Sequence, residues 1–236
     1  GTDGGGIYSF SLLKESSPTI SNVSFYGNYA KLAGGAMFNY SEADNASPNM
    51  SNISIIHNKA EDRHGGGFFN RGRTVKAELT NVNVVGNESA LSGGGLYFVA
   101  IEECSPQIIN TVVNGNYSQG GNGGGIYIST YDGDAKPTIL NVSICGNKAG
   151  ISELFDGGGL VILPERVSKA NVVNTVIWGN KGNDYDNFYA AGKLGRENII
   201  TGSLIEGSDD LGDTNLPGNT DPKFLESVSA DFAPTM

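Results

Sequence analysis

Charge is scarce in this chain, and cationic charge scarcest: 15 Lys and Arg stand against 25 Asp and Glu in 236 residues, a net charge of −10. Nucleic-acid backbones are held by clustered Lys and Arg. The cations here are scattered, so no nucleic-acid partner is expected, and an anionic membrane surface is disfavoured on the same ground. Long apolar runs are missing too. None approaches the ~20 residues of a spanning helix, and no basic segment followed by an apolar one marks a leader. No transmembrane segment is therefore expected in this chain, and Gly1 in place of an initiator Met suggests a leader already removed or a boundary of another kind.

Cysteine is limited to Cys104, in the loop-like IEECS, and Cys145, in the strand-like SICGN. Bridging needs Cα atoms within ~7 Å; the two lie at different places in the pattern described next, so unpaired thiols are expected. Two histidines with no metal-ligand spacing give no reason to expect a metal or a cofactor.

Glycine, by contrast, is abundant, and its 35 copies are clustered. GGGIY at 4–8 is followed by GGAMF at 34–38, GGGFF at 65–69, GGGLY at 93–97, GGGIY at 123–127 and GGGLV at 157–161. A second phrase alternates with it: NVSFYGN at 22–28, NISIIHN at 52–58, NVNVVGN at 81–87, NTVVNGN at 110–116, NVSICGN at 141–147 and NTVIWGN at 174–180. Successive first asparagines are 30, 29, 29, 31 and 33 residues apart. A period of that length marks a repeat architecture. Each unit is rich in Val, Ile, Thr, Ser and aromatics and alternates over only four to six residues, which excludes helical hairpins and reads as several short strands. One strand follows the glycines (IYSF, 7–10), a second is PTI at 18–20 and its counterparts, and a third is VSF at 23–25.

Three strands per unit, stacked at the ~4.8 Å spacing of neighbouring strands, make coils; the six-residue period of a left-handed hexapeptide helix is absent. The expected fold is all-β: a right-handed single-stranded parallel β-helix of about six to seven coils with asparagine ladders. Residues 1–197 form the coils, and 198–236 form a last irregular coil and a C-terminal cap, with Phe224 and Phe232 closing the interior. The N-terminal coil has no comparable cover, so further chain or a neighbouring molecule is expected over it.

Apolar residues in every unit mark inward columns, Ile20, Met50, Leu79, Ile108, Ile139 and Val172 in one and Phe25, Ile55, Val84, Val113, Ile144 and Ile177 in another. Val23, Ile53, Val82 and Val142 join them, with Thr111 and Thr175 as polar exceptions. Asn22, Asn52, Asn81, Asn110, Asn141 and Asn174 fall between two inward columns, at tight bends where Asn tolerates a left-handed backbone. Stacked bends align their amides, and a corner ladder removed from water is expected. Asn28, Asn58, Asn87, Asn116, Asn147 and Asn180 make a second such column. The ladders explain the Asn-X-Ser sequons without glycosylation.

Gly34-Gly35-Ala36-Met37 and Phe25-Tyr26-Gly27-Asn28 resemble the GGA-[ILV] and FxxN tetrapeptides whose alternation marks the polymorphic outer-membrane proteins and related bacterial surface β-helices. The likeness covers roughly residues 4–180; most glycine phrases here are GGG, and five of the six FxxN phenylalanines are Ile or Val. The resemblance implies a pectin lyase-like β-helix that is secreted or held at the cell surface in association with an outer membrane. It also implies adhesion to a glycan or to a host or cell-surface protein.

Carbohydrate-active β-helices are the enzymatic alternative, as polysaccharide lyases or glycoside hydrolases. Their chemistry wants carboxylates converging on one solvent-facing strand column. Glu42, Asp44, Glu102, Glu103, Asp132, Asp134 and Glu165 instead sit in loops, so a non-enzymatic binding module is favoured. His57 to His64 (HNKAEDRH) is the densest polar cluster and reads as a solvated corner more readily than as an acid–base site. GGNGGGIYI at 120–128 lacks the Asp of calcium β-rolls, and Asp209, Asp210, Asp213 and Asp221 read as an acidic cap loop. A rigid spacer is a third reading. The surface singled out for ligand binding is aromatic: Tyr8, Phe38, Phe69, Tyr97 and Tyr127, followed by Val161, each next to an inward residue and so facing out. Exposed, this strip would stack against sugar rings or a partner; covered by loops such as SFSLLKESS, it would be a second core.

Overall fold

The computed structural model describes residues 1–150, 157–183, 185–208 and 214–222, and every regular element within them is a β-strand. Phe224 and Phe232, and Asp209, Asp210 and Asp213 of the acidic loop, lie outside the described residues. The chain winds into a parallel β-helix: each strand pairs in parallel with its equivalent one coil away.

One face carries the strands that follow the glycines, in the order Ile7–Ser11, Met37–Ser41, Phe68–Val75, Leu96–Cys104, Ile126–Thr130, Leu160–Leu163 and Phe188–Ala190. The triplet before each strand is required by the turn. Gly34 has φ +67°, and a Cβ on Gly35 would lie 2.1 Å from the Gly66 carbonyl oxygen of the next coil, so side chains there would push the coils apart. The second face carries Thr19–Tyr26, Asn49–Ile56 and Glu78–Val85, in which the two expected strands run on as one bent element. From Gln107–Ile109 and Val112–Asn114 onward they separate. The break coincides with Thr111, fully buried, whose hydroxyl donates to the Ile109 carbonyl 2.9 Å away; Thr175 donates likewise to Val173 at 3.0 Å. These two inward hydroxyls are satisfied locally. A third, narrow face was not foreseen: two-residue strands such as Tyr29–Ala30, Lys59–Ala60 and Glu88–Ser89 follow the second asparagine column.

The interior is one continuous apolar cluster containing the predicted columns, with Met50, Leu79, Ile108, Ile139 and Val172 above one another and Ile55, Val84, Val113, Ile144 and Ile177 beside them. Cys104 is buried in this core, Cys145 is half-buried, and both are free thiols.

The first asparagines do take left-handed backbone, with φ of 57°, 54°, 57°, 50°, 55° and 49° from Asn22 to Asn174. Their amides form links between coils, as in Asn52 Nδ2 to Asn22 Oδ1 at 3.2 Å, but the side chains are exposed rather than removed from water. The buried ladder is the second column. Asn87 Oδ1 accepts from both the backbone N–H and the Nδ2 of Asn58 at 2.9 Å, and Asn87 Nδ2 donates to Asn116 Oδ1 and to the Ile55 carbonyl. The arrangement repeats through Asn116 and Asn147 to Asn180, so each amide satisfies two donors and two acceptors in a place water does not reach. It passes on to Asn187, whose Nδ2 donates to the Glu206 carboxylate at 2.9 Å.

Candidate functional site: a cleft beside a stacked aromatic column

On the glycine face, Met37, Phe68, Leu96, Ile126 and Leu160 enter the main core, and their chain neighbours therefore point outward. In-register pairing sets Tyr8, Phe38, Phe69, Tyr97, Tyr127, Val161 and Tyr189 one above the next. Ring centroids are 5.3 Å apart for Tyr8 and Phe38, 4.8 Å for Phe38 and Phe69, 5.0 Å for Phe69 and Tyr97, and 5.2 Å for Tyr97 and Tyr127, with planes within 16° of parallel. The outer column is therefore one continuous stack, separate from the interior core.

The expectation of an exposed platform needs correction. Tyr8, at the end of the stack, is 53% exposed, but Phe38, Phe69 and Tyr97 are only 9%, 6% and 7% exposed, and Tyr127 is half-buried. The cause is the coil spacing. Strands ~4.8 Å apart hold in-register rings at stacking distance, so each inner ring spends its faces on its neighbours and offers the surroundings mainly an edge. Within SFSLLKESS, Phe10 lies beside Tyr8 and Tyr40, with centroids 6.1 and 5.5 Å away, while Leu12 and Leu13 are exposed.

Beside the stack lies a cleft of about 240 Å³, walled by Phe38, Phe69, Tyr97 and Val99 and bordered by Asp3, Leu32, Ala33, Arg63, His64, Arg71 and Tyr131. The turns before the glycine triplets supply one rim and the next outward strand position, Arg71 and Val99, supplies the other. His64 stacks on Tyr97 with centroids 4.5 Å apart. Burial holds its imidazole down at about 4, aided by the Arg63 charge and opposed by a hydrogen bond to the Ser92 backbone, so the ring is neutral at pH 7. Its Nδ1 is buried with no hydrogen-bond partner among the described residues. Arg71 stands 5.2 Å from the Tyr40 ring centroid and 5.8 Å from that of Tyr131, a cation held over two aromatic faces. Asp3 is tied to the wall, its Oδ1 accepting the Ala33 N–H at 3.1 Å. Tyr97 is raised above its ordinary value, chiefly by burial, and stays a phenol.

The corner HNKAEDRH is split by the fold. His57 adopts φ +53° where most other coils have Gly and sets its ring edge-on to Tyr26, while Lys59 pairs with Glu88 and Lys31 with Glu61 and Asp62. Those residues form the solvated corner that was expected. Arg63 and His64 instead turn to the cleft, and sequence reasoning missed them and Arg71. The available signal was positional: His64 directly precedes a glycine triplet, at the edge of the aromatic column, and Arg71 lies two residues beyond Phe69 on the same outward side.

The expectation that the acids sit in loops needs correction for three of them: Glu102 and Glu103 end the strand Leu96–Cys104, and Asp134 lies in the short strand Asp134–Ala135, in register with Glu103, because the glycine-face strands run on past the bend. They are held in ion pairs along the outside, Glu102 with Arg73, Glu103 with Lys136 and Lys76 and Asp134 with Lys169, as Glu165 is with Lys193. A second cleft, of about 370 Å³, lies at the last coil and holds Asp186 and Glu206. Glu206 receives the end of the buried ladder and the Gly179 N–H, and Asp186 receives the Gly182 N–H, so both carboxylates serve the fold. Among the described residues no group of three or more His, Cys, Asp or Glu is placed to hold a metal ion, and no helix is long and apolar enough to cross a membrane. Comparison of the chain with protein-family models, curated proteins and solved structures found no match.

Proposed function

We propose that this protein is a secreted or cell-surface β-helix that binds glycan through the cleft on its glycine face, in the manner of an adhesin. One observation carries the reading: a cleft walled by the edges of stacked aromatic rings and bordered by converging polar groups, Asp3, Arg63, His64, Arg71 and Tyr131, the mixture that orients small ligands, on an otherwise regular scaffold. Phe38, Phe69 and Tyr97 form the wall, with Tyr8 stacked on Phe38 at one end and Tyr127 on Tyr97 at the other. The likeness of the repeats to those of bacterial surface proteins supports the location.

Hydrolysis would need a pair of carboxyl groups across the bond, and Asp3, held by the Ala33 amide, is the carboxylate at this cleft. The protein should therefore retain oligosaccharides on an immobilised array without releasing new reducing ends or unsaturated products. Tyr131 is 59% exposed at the rim, so Tyr131→Ala should leave melting unchanged while weakening retention about tenfold, ~1.4 kcal/mol. Failure of the wild-type protein to retain any saccharide, or unaltered retention by the variant, would remove the reading.

A further inference from the structure

We infer that the cleft selects saccharides carrying an anionic group, a carboxylate or a sulfate ester, which Arg71 and Arg63 receive. This rests on the glycan reading above and adds the chemical class of the ligand.

In a chain with ten more acids than bases, eight cations pair with a carboxylate among the described residues, as Lys59 does with Glu88 and Arg73 with Glu102, while Lys14, Lys148, Arg166 and Arg196 form no such pair and do not line the cleft. Arg63 and Arg71 form no ion pair among the described residues, and both line the cleft. Arg71 is also pre-oriented. The Tyr40 and Tyr131 rings hold its guanidinium by their faces, contacts that leave its N–H donors free for the forked grip on a carboxylate or sulfate. The wall adds to the same field, because stacked rings present edges, the positive part of their quadrupole. Among the described residues Asp3 is the one opposing charge in the lining, and His64 contributes none at neutral pH.

The pairing of the strands favours a sugar over an acidic peptide. Peptides commonly bind sheets by adding a strand at an open edge. Here the strands under the cleft, Phe68–Val75 and Leu96–Cys104, are paired on both sides and offer no such edge.

The test is titration calorimetry with four ligands of matched length: a uronate-containing oligosaccharide, a sulfated one, their neutral counterpart and an acidic peptide. At least one anionic saccharide should bind tenfold or more tightly than the neutral one. The advantage of the anionic over the neutral saccharide should shrink as salt rises and vanish in Arg71→Gln, and the preferred arm identifies the anion. If Arg71→Gln fails to fold, Arg63→Gln, at an exposed position, should reduce the same advantage in part. Equal binding of the neutral sugar would overturn the anionic preference and leave glycan binding standing. Binding of no saccharide, or of the acidic peptide alone, would overturn both.

Discussion

Asn22 and Asn28 lie six residues apart on one coil and each heads a column repeated along the helix, yet the two columns use asparagine for different reasons. In the outer column the backbone is left-handed at every coil, the side chains are in water, and the amides donate back to the preceding coil, as Asn81 Nδ2 does to Asn52 Oδ1 at 3.2 Å. In the inner column Asn87, Asn116 and Asn180 are fully buried and donate forward to the following coil. Outside, asparagine is chosen for a φ that β-branched residues avoid, and its hydrogen bonds compete with water. Inside, it is chosen because a buried corner has backbone groups that only a side chain with both a donor and an acceptor can satisfy.

That difference should be largest in Asn87→Ala. The Asn58 backbone N–H and Nδ2 would lose their acceptor and the Ile55 carbonyl its donor. Each unsatisfied group costs ~1–3 kcal/mol, so urea unfolding should show a loss of about 3 kcal/mol or more. A loss under ~1 kcal/mol would mean that water enters the corner and that the two columns are alike. Glu206→Ala should come next. The carboxylate takes the last donor of the ladder and the Gly179 N–H at 2.7 Å, while Asn187 keeps a bond to the Glu206 carbonyl. A loss of ~1–2 kcal/mol is expected, and no change in melting would show that the ladder needs no charged end. The smallest effect belongs to the outer column. Asn81→Gly should stay within ~0.5 kcal/mol of wild type, because glycine accepts the φ and the lost bond was in water, whereas Asn81→Ala should cost ~1 kcal/mol for its left-handed backbone. If Ala and Gly cost the same at this position, backbone preference is not why asparagine is there.

The repeats, the inward columns and both asparagine columns were legible because each is a periodic demand imposed at every coil by the same backbone geometry. The exposure of the outer column was not, since a bend looks the same in sequence whether water or core lies beyond it. The aromatic strip shows a related boundary. Alternation placed Tyr8, Phe38, Phe69, Tyr97 and Tyr127 outside, but whether rings on neighbouring coils shield one another depends on ring orientation across a gap of about thirty residues in sequence. Arg71 was invisible because its meaning lies in its having no ion-pair partner among the described residues, and such partners, like Glu88 for Lys59 and Glu102 for Arg73, come from adjacent coils.

By itself, then, the sequence determined the architecture: glycine triplets where coils touch, apolar alternation that can close only around an interior, and asparagines where the chain must bend. These are local requirements repeated at a fixed period, so they can be read from one strand of text. Tertiary structure alone decided the chemistry of the surface: which ladder is dry, which rings are spent on one another, and which two arginines are left facing a cleft. Those properties depend on neighbours stacked about thirty residues away, and burial, stacking and charge pairing exist only once the coils are brought to within a strand spacing of each other.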